Sequence, residues 1–411
     1  MKLAFIIDNL YGGGAERAEI NIMNDLSERH DVTAVCYRKN DREKNYPLAP
    51  RVRLLYLKPR FPTDSPFAFL NWLVRFGKIR DIRRREHFDA VVSFLDGGNA
   101  YNVLTARGDK AVISIRNLIS RSAKPRASKL TSPEHTLLNS AARLLQNRAD
   151  RIVCVSEDVA RDQILHFRAP EDKVTVVQNF VDADLVSGLA GEENRDADFL
   201  RFRETHDILF ANCGRLVFQK GQWHLIKAFS EVIRAHPRAG LIILGEGKLE
   251  AYLRRLISEY GLSENVMLCG YQTNPFKYMK YADWLVHSAL YEGMSNTVLE
   301  AMALGLPVIS TDCAGTRELL TPRRPWGAPV DSVLLGEYGV VCPLEEDRDD
   351  LHLRSLTPGE KGIAAAMGMV LEDPSLQARY RAASRERVKA FSKEIKISEW
   401  ERTLAALASG G

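Results

Sequence analysis

The sequence predicts an α/β protein with two doubly wound, mostly parallel sheets. Apolar, β-branched runs of strand length alternate with amphipathic stretches of helical length, and this alternation occurs twice along the chain. With 411 residues, 45% of them hydrophobic, the chain is long enough to form two ordinary cores. We therefore expect two Rossmann-like domains.

The predicted strands fall into two groups. The first group is KLAFIID, DVTAVCY, VRLLYL, FDAVVSFL, KAVISI, DRIVCVS and KVTVVQN, and the second is DILFANCG, GLIILGEG, NVMLCGY, ADWLVHSA, LPVISTD and EYGVVCP. Between them, residues 181–206 are polar and acidic without a strand pattern, which predicts a linker. The expected domains are residues 1–184 and 185–394. Because open α/β sheets bind ligands beyond the carboxyl ends of their strands, two facing domains would form a site in the cleft between them.

Composition favours a cytosolic protein with reduced thiols. The first strand holds only about six apolar residues in a row, too few for a signal peptide or a spanning helix, and no other stretch approaches that length. The six cysteines are scattered without a CxxC pair. This pattern favours buried thiols over disulfides or a zinc site.

The net charge is only +4, but residues 51–150 contain 19 Lys and Arg against 8 Asp and Glu. Within them, SPFAFLNWLVRFGKIRDIRRR places aromatic and aliphatic residues at helical spacing and gathers cations toward its end. One interpretation is a membrane-surface helix whose cations meet anionic lipid; the other is a solvated helix packed on its own domain. Its apolar residues are Phe69, Trp72, Leu73, Phe76, Ile79 and Ile82, and its cations are Arg75, Lys78, Arg80, Arg83, Arg84 and Arg85. The nearby RSAKPRASKL, with four cations and no acid, adds some weight to an anionic partner.

Two glycine-containing loops follow predicted strands. Gly12 to Gly14 stand between the first strand and a helix, where the backbone can approach an anion, or where they only make a tight turn. The G-x-G-x-x-G spacing and the ribose-binding acid are missing, so a NAD-dependent dehydrogenase is disfavoured. Arg215 and Lys220 follow the strand that ends at Gly214, and this pair suits a diphosphate, although surface cations are common in loops.

The segment YEGMSNTVLEAMALG, residues 291–305, contains two acids around a helix start. Thr297 and Glu300 have the spacing of a capping box, so Glu300 has a purely structural interpretation. Glu292 lies outside that helix and has no capping role. The turn between Glu292 and the helix is a good seat for phosphate, which leaves the acids to accept sugar hydroxyls.

Several motifs in order resemble glycosyltransferase family 4, the retaining nucleotide-sugar glycosyltransferases with a GT-B fold of two facing Rossmann-like domains. The likeness spans nearly the whole chain. Its motifs are GGGAER, VSE at 155–157, GRLVFQKG, LIILGEGKLE, GYQTNPFKYMKYAD, the E-x7-E block at 292–300, TDCAGTREL and YGVVCP. The closing FSKEIKISEWERTLAAL is similar to the family's C-terminal helix, so residues 395–411 are expected to cross back to the N-terminal domain.

The resemblance implies a donor site mostly on the C-terminal domain. Arg215 and Lys220 would neutralise the diphosphate, and Glu292 would contact the donor sugar. Glu300 would accept the ribose hydroxyls. The remaining implied donor-binding residues are Gly13, Gly14, Gly270, Tyr271, Gln272, Asn274, Gly293, Met294, Ser295, Asn296 and Thr297.

One position departs from the family pattern. Many relatives have a His after the strand KAVISI, whereas this chain has Arg116 and Asn117. Because Arg is always protonated at neutral pH, it cannot act as a general base, and we expect these two residues, with Asp96, to contact the acceptor or a phosphate. Same-face attack in the family requires no protein nucleophile.

No cofactor and no metal are expected, because fixed cations and a helix start can stabilise the leaving diphosphate. The D-x-D spacing that binds metal in the other glycosyltransferase fold occurs twice, at Asp182 with Asp184 and at Asp196 with Asp198, but both pairs lie in the predicted linker.

The predicted function is transfer of a sugar, a UDP-linked HexNAc or hexose, to a glycan acceptor on a polyprenyl-diphosphate carrier in bacterial surface glycan synthesis. The protein would lie peripherally on the inner face of the membrane and bind no nucleic acid. The alternatives are a nucleotide-sugar epimerase or phosphorylase of the same fold, and a non-catalytic protein that binds an anionic ligand.

Overall fold

The computed structural model describes residues 1–411 except 12, 38–45, 62–66, 68–69, 123–143, 326, 345–354 and 409–411. The chain divides into two compact units, which we call unit 1 (Met1–Asn179 with Glu394–Gly411) and unit 2 (Phe180–Lys393). Every segment predicted as a strand contains one, and each unit has its own sheet. The predicted α/β class with two doubly wound sheets is therefore confirmed.

Unit 1 contains a seven-stranded parallel sheet in the order β3-β2-β1-β4-β5-β6-β7. The strands are β1 Lys2–Ile7, β2 Asp31–Cys36, β3 Arg53–Tyr56, β4 Ala90–Phe94, β5 Lys110–Ile115, β6 Arg151–Cys154 and β7 Val174–Val176. The interior strands are continuous apolar runs because a parallel sheet is buried on both faces. The helices that follow them are α1 Gly14–Leu26, α2 Asn71–Glu86, α3 Leu95–Thr105, α4 Ile119–Ser122 and α5 Glu157–Phe167.

Unit 2 also has seven strands, and its first five repeat the order of unit 1, whereas its last two are exchanged at the edge. Its sheet runs β10-β9-β8-β11-β12-β14-β13, parallel except that the two-residue β13 pairs antiparallel with β14. The strands are β8 Ile208–Cys213, β9 Ala239–Leu244, β10 Val266–Gly270, β11 Trp284–His287, β12 Val308–Thr311, β13 Leu334–Leu335 and β14 Val340–Cys342. The helices are α6 Ala183–Gly191, α7 Ala197–Glu204, α8 Gln222–Ala235, α9 Glu250–Glu259, α10 Phe276–Met279, α11 Asn296–Ala303, α12 Thr316–Leu320, α13 Pro358–Glu372 and α14 Ser375–Val388. Short 3-10 turns span Glu171–Lys173 in unit 1 and Phe218–Lys220 and Lys389–Phe391 in unit 2.

The predicted linker at 181–206 is wrong, because this segment contains the two helices α6 and α7 of unit 2. Each begins at an aspartate: Asp182 accepts from the Leu185 N–H at 2.9 Å, and Asp196 accepts from the Phe199 N–H at 3.0 Å. Capped helices of this kind are locally polar and carry no strand pattern. The units meet in sequence after Asn179 rather than after residue 184, since the Val181 N–H donates to the Phe391 carbonyl within unit 2.

The last helix, α15 (Lys393–Ala408), supplies part of the core of unit 1. Trp400 is 1% exposed, and its ring lies 6.0 Å from that of Phe94, which in turn lies 6.4 Å from Phe5. Glu401 on the same helix contacts the His30 ring at 3.2 Å. The first strand and the last helix of unit 1 are thus joined by an aromatic stack.

Trp400→Ala is expected to lower the free energy of unfolding of unit 1 by about 3–5 kcal/mol, because it removes a large ring from a packed core. Urea denaturation followed by circular dichroism measures the change. Ile395→Ala, at an exposed position of the same helix, should change stability by less than about 0.5 kcal/mol. Equal effects of the two substitutions would contradict the assignment of Trp400 to the core.

Candidate functional site

The strand order of unit 2 reverses at β8, which lies between β9 and β11. The loops after β8 and β11 therefore leave neighbouring strands and run toward opposite sides of the sheet, and such a reversal is where open α/β sheets bind ligands. Arg215 and Lys220 lie in the loop after β8, and Glu292 lies in the loop after β11. The fold thus brings together two loops that are far apart in the sequence.

Backbone and side-chain hydrogen bonds join these two loops. The Leu290 N–H donates to the Gln219 carbonyl, and the Gln219 amide donates to the Tyr291 carbonyl, both at 2.9 Å. The Ser288 hydroxyl donates to the Lys220 carbonyl at 2.9 Å. Gly221 has φ +61°, and a Cβ there would lie 2.2 Å from the Ser288 carbonyl oxygen. Only glycine allows this approach.

Lys220 and Glu292 form an ion pair between the loops. Their side chains are only 17% and 11% exposed. The methylene chain of Lys220 lies against Gly214, where a Cβ would be 3.5 Å from it. Arg215, in the same loop, is exposed, and its guanidinium makes no hydrogen bond or ion pair with any other described residue. The switch point therefore combines a fixed ion pair with a second cation.

His287, the last residue of β11, lies behind this ion pair and was missed as a site residue by the sequence analysis. Its Nε2 atom is 4.0 Å from Glu292 Oε1, and its Nδ1 atom is 3.3 Å from the Ser310 hydroxyl. Burial and the positive charge of Lys220 lower the pKa of His287 to about 3, so the ring is neutral. A histidine inside the apolar strand ADWLVHSA was the available signal.

The segment after Glu292 forms a turn and then α11. Ser295 caps this helix by accepting from the Val298 N–H at 3.4 Å, so the helix begins earlier than Thr297. The predicted capping box of Thr297 with Glu300 is wrong for this reason. Glu300 is a buried residue in the second turn of the helix, and its interpretation as a cap is removed.

The turn at Gly293 packs against the loop after β12. Gly315 has φ +78°, and a Cβ there would lie 2.1 Å from the Gly293 carbonyl oxygen. Asp312 in the same loop accepts two hydrogen bonds from Arg317 of α12, at 3.0 and 2.9 Å. The loops after three neighbouring strands, β8, β11 and β12, therefore hold one another in place.

The GYQTN turn follows the edge strand β10. Gly270 ends that strand with φ +67°, and the Gln272 amide donates to the Cys269 carbonyl at 2.7 Å. Asn274 is buried, and its amide donates to the Leu189 carbonyl at 2.8 Å and to Glu192 at 2.9 Å. Asn274 therefore holds the turn against α6, whereas Tyr271 is 42% exposed.

Unit 1 places its candidate residues at the carboxyl ends of β1, β4 and β5. The Gly13 N–H donates to Glu16 at 3.0 Å where α1 begins, and Gly14 is the first residue of that helix. Partial burial raises the pKa of Asp96 at the start of α3. Asn117 accepts from the Leu118 N–H at 2.9 Å, which makes it a turn residue. Gly12 lies outside the described residues.

Arg116 is held by three neighbours in unit 1. It donates to the Asn179 side chain, and its guanidinium lies 5.3 Å from the centre of the Phe94 ring. Burial lowers the pKa of Arg116 to about 10, and nearby Glu19 opposes that shift. Glu19 is buried in α1, and burial together with Glu16 and Asp8 raises its pKa, which the charge of Arg116 counteracts. Arg116 therefore stays charged at neutral pH.

The structure divides the predicted basic helix, α2, into two faces. Ile79 is buried in unit 1, where Phe76 and Ile82 pack beside it, whereas Trp72 and Leu73 are exposed. Phe69 and most of RSAKPRASKL lie outside the described residues.

Among the cations of α2, Arg83 does not face solvent, so its assignment to lipid contact is wrong. It is buried and donates to Asp109 at 2.7 Å and to the Asn102 carbonyl at 2.8 Å. Arg84 and Arg85 are exposed. No helix within the described residues is both long and apolar enough to cross a bilayer.

The two D-x-D sequences lie at the helix starts already described. Asp182 and Asp196 are caps, and Asp196 also accepts from the Tyr278 hydroxyl at 3.1 Å. In the part of the chain that the structure describes, no three His, Cys, Asp or Glu side chains converge as metal ligands.

Two protein-family models match the chain. Residues 12–185 match the model of Glycosyltransferase Family 4, and residues 194–328 match that of Glycosyl transferases group 1. Together the two matches cover more than half of the sequence. The chain therefore belongs to glycosyltransferase family 4, and its fold is the GT-B fold, as predicted.

Two relatives are informative. The N-acetylgalactosamine-N,N'-diacetylbacillosaminyl-diphospho-undecaprenol 4-alpha-N-acetylgalactosaminyltransferase of Campylobacter jejuni is 27% identical over 402 residues, 97% of each chain. An uncharacterized glycosyltransferase of Methanocaldococcus jannaschii is 38% identical over 257 residues, which are 62% of this chain and 63% of the relative. That second match thus spans slightly less than two thirds of the relative's length.

Solved structures agree on the fold. Alr3699/HepE of Anabaena, in complex with UDP-glucose, has a TM-score of 0.70 at 17% identity and covers 99% of this chain and 100% of that one. WaaG, a glycosyltransferase involved in lipopolysaccharide biosynthesis, has a TM-score of 0.68 at 14% identity and covers 100% of both chains.

Gly315→Ala is expected to destabilise unit 2 by roughly 3 kcal/mol, since the new methyl group would clash with the Gly293 carbonyl in a left-handed backbone. Urea unfolding measures the loss. The matched control is Gly368→Ala inside α13, where a Cβ meets nothing within 4 Å. It should stabilise by about 0.5–1 kcal/mol. A Gly315→Ala protein as stable as the control would contradict the described packing of the two loops.

Proposed function

We propose that the chain is a retaining, metal-independent glycosyltransferase that moves a hexose or N-acetylhexosamine from a UDP-sugar to a polyprenyl-diphosphate-linked glycan. The observation that carries the proposal is the meeting of Lys220 and Glu292, beside Arg215, at the switch point of unit 2. A diphosphate requires cations and a sugar requires oxygen acceptors. The adjoining loops supply both.

Arg215 and Lys220 are the groups that would bind the diphosphate. Negative charge accumulates on the diphosphate as the bond to the sugar breaks, so cations already in place lower the barrier without reorganising. The backbone from Ser295 to Thr297, at the start of α11, would hold the distal phosphate with its N–H groups. These three contributions replace the charge that a divalent ion would otherwise provide.

Glu292 and Glu300 would recognise the two sugars of the donor. Glu292 lies next to Lys220, one of the two cations that would bind the diphosphate, and it would accept hydrogen bonds from hydroxyls of the transferred sugar. Glu300, whose capping role is excluded, would accept the ribose hydroxyls from the second turn of α11. The exposed Tyr271 would border the base.

The donor and acceptor classes are supported by the relatives. A protein of the same fold has been crystallised with UDP-glucose, and the full-length Campylobacter relative is named for transfer of N-acetylgalactosamine to a diphospho-undecaprenol-linked acceptor. We therefore favour a UDP-N-acetylhexosamine donor and a lipid-linked acceptor. Same-face attack by the acceptor hydroxyl would retain the anomeric configuration without a protein nucleophile.

A lipid-linked acceptor requires the enzyme to work at a membrane surface, on the inner face where UDP-sugars are made. In unit 1, Trp72 and Leu73 of α2 are exposed at one end of the helix, and Arg84 and Arg85 are exposed at the other. Exposed apolar side chains and cations on one helix suit the headgroup region of an anionic leaflet. We assign this face of α2 to peripheral membrane contact.

Separate Arg215→Ala, Lys220→Ala and Glu300→Ala substitutions are expected to lower UDP release from the preferred UDP-sugar about a hundredfold each, as loss of one preorganised charge or acceptor does. The donor is first chosen by a thermal-shift screen across UDP-, GDP- and ADP-sugars. Arg254→Ala, on the surface of α9, should keep full activity. Unchanged rates in all three variants would exclude this site, and an inverted product anomer by NMR would exclude retention.

Arg84 and Arg85 changed to Glu should reduce sedimentation with phosphatidylglycerol vesicles at least about tenfold, because each cation near an anionic surface contributes to binding. Arg83 is left unchanged because its ion pair with Asp109 belongs to the fold. Arg254 and Arg255 changed to Glu provide the same charge reversal on α9 of unit 2. Equal binding by both double variants would remove α2 from the membrane contact.

A further inference from the structure

The donor site as proposed leaves one buried polar side chain unused. His287 is 4% exposed at the end of β11, in register with Ser310 of β12. Its neighbours in the strand, Leu285 and Val286, are apolar and buried. A buried imidazole needs partners for its nitrogen atoms, so its contacts indicate what it does.

Hydrogen bonds from β12 fix the tautomer of the ring. The Ser310 hydroxyl donates its single proton to the Thr311 carbonyl at 2.9 Å, so its oxygen is left to accept from His287 Nδ1 at 3.3 Å. The Thr311 hydroxyl donates to the Ala289 carbonyl at 2.6 Å, which holds the strand end that follows His287. The proton of the neutral ring is therefore on Nδ1, and Nε2 carries a lone pair.

The Nε2 lone pair faces the donor site. This atom is buried, has no hydrogen-bond partner among the described residues, and lies 4.0 Å from Glu292 Oε1, the same oxygen that pairs with Lys220. A lysine ammonium has three N–H donors, of which Glu292 takes one. A neutral acceptor thus stands next to a cation that has donors to spare.

The proposed function makes conflicting demands on this ion pair. Lys220 must face the diphosphate with its full charge, while Glu292 must accept sugar hydroxyls, and yet the two side chains neutralise each other in the structure. Donor binding therefore has to separate them. Because the Lys220 methylene chain is packed against Gly214, the ammonium group moves only locally when Glu292 leaves.

We propose that His287 is the positioning residue for Lys220, whose ammonium donates to Nε2 once Glu292 has turned to the donor sugar. This role rests on the proposed function of the site. A carboxylate in the same place would cancel the lysine charge, whereas a neutral imidazole orients the ammonium and leaves its charge for the diphosphate. His287 does not itself contact the donor.

The test is a double-mutant cycle between His287 and Lys220. His287→Leu removes the acceptor at similar volume, and His287→Gln offers a carbonyl oxygen near the position of Nε2. Each is made in the native and in the Lys220→Ala background. The readouts are kcat and KM for the UDP-sugar, the calorimetric Kd for UDP, and the melting temperature. His166→Leu, at an exposed site on α5, is the matched control.

His287→Leu should lower kcat and weaken UDP binding roughly ten- to a hundredfold, which is the effect of losing a hydrogen bond to a charged group. The KM for the UDP-sugar should rise no more than the Kd for UDP does. In the Lys220→Ala background the same change should have almost no effect. His287→Gln should restore most of the loss. An acceptor that acts through Lys220 predicts all three results.

Two outcomes would overturn the role of His287. One is that His287→Leu weakens UDP binding equally in the native and in the Lys220→Ala background. A purely structural role of His287 would give this result. The other is a Gln variant no better than the Leu variant at an unchanged melting temperature. The proposed function would instead be refuted if the cycle shows this coupling in UDP binding but the native protein transfers no sugar. The two failures are therefore distinct.

Discussion

The ion pair between Lys220 and Glu292 is the contact on which the candidate donor site depends. Each charge is largely removed from water, so loss of either partner would leave the other unpaired at a cost of about 3–5 kcal/mol. The loops can approach closely enough because Gly221 and Gly315 let carbonyl oxygens come to within 2.2 and 2.1 Å of where a Cβ would be. Backbone packing thus sets the distance at which the charges meet.

A buried ion pair is poor evidence for stability, because apolar residues of the same volume commonly stabilise a fold at least as well. Buried positions are usually apolar. The ion pair at the strand reversal and the imidazole inside an apolar strand both depart from this rule. Departures of this kind concentrate where a protein binds or reacts. The polar cluster formed by Lys220, Glu292 and His287 is therefore better explained by a ligand than by the fold.

The sequence was sufficient for the fold class and for the meeting of the loops that hold Lys220 and Glu292, since buried parallel strands are recognisable as apolar runs and their loops must meet at one edge. It was insufficient wherever a contact is distant in sequence. Arg83 has the sequence context of a surface cation, although in the fold it is buried and paired with Asp109. The segment that contains Asp182 and Asp196 has the composition of a linker and the spacing of a metal motif, although each aspartate caps a helix. The tautomer of His287 follows from its contact with Ser310 of the neighbouring strand, which the sequence alone does not show.

The charge state of Arg116 limits where the acceptor proton can go in the proposed reaction. Even with its pKa lowered to about 10, Arg116 is protonated at neutral pH and cannot accept a proton. Glu19 is buried nearby, and burial raises the pKa of its carboxyl, so Glu19 is not a solvent-facing base. Retention by same-face attack avoids this difficulty, since the departing diphosphate oxygen can take the proton itself. In the proposed reaction unit 1 then needs to supply only charge and position, and Arg116 is the residue that we propose for this role.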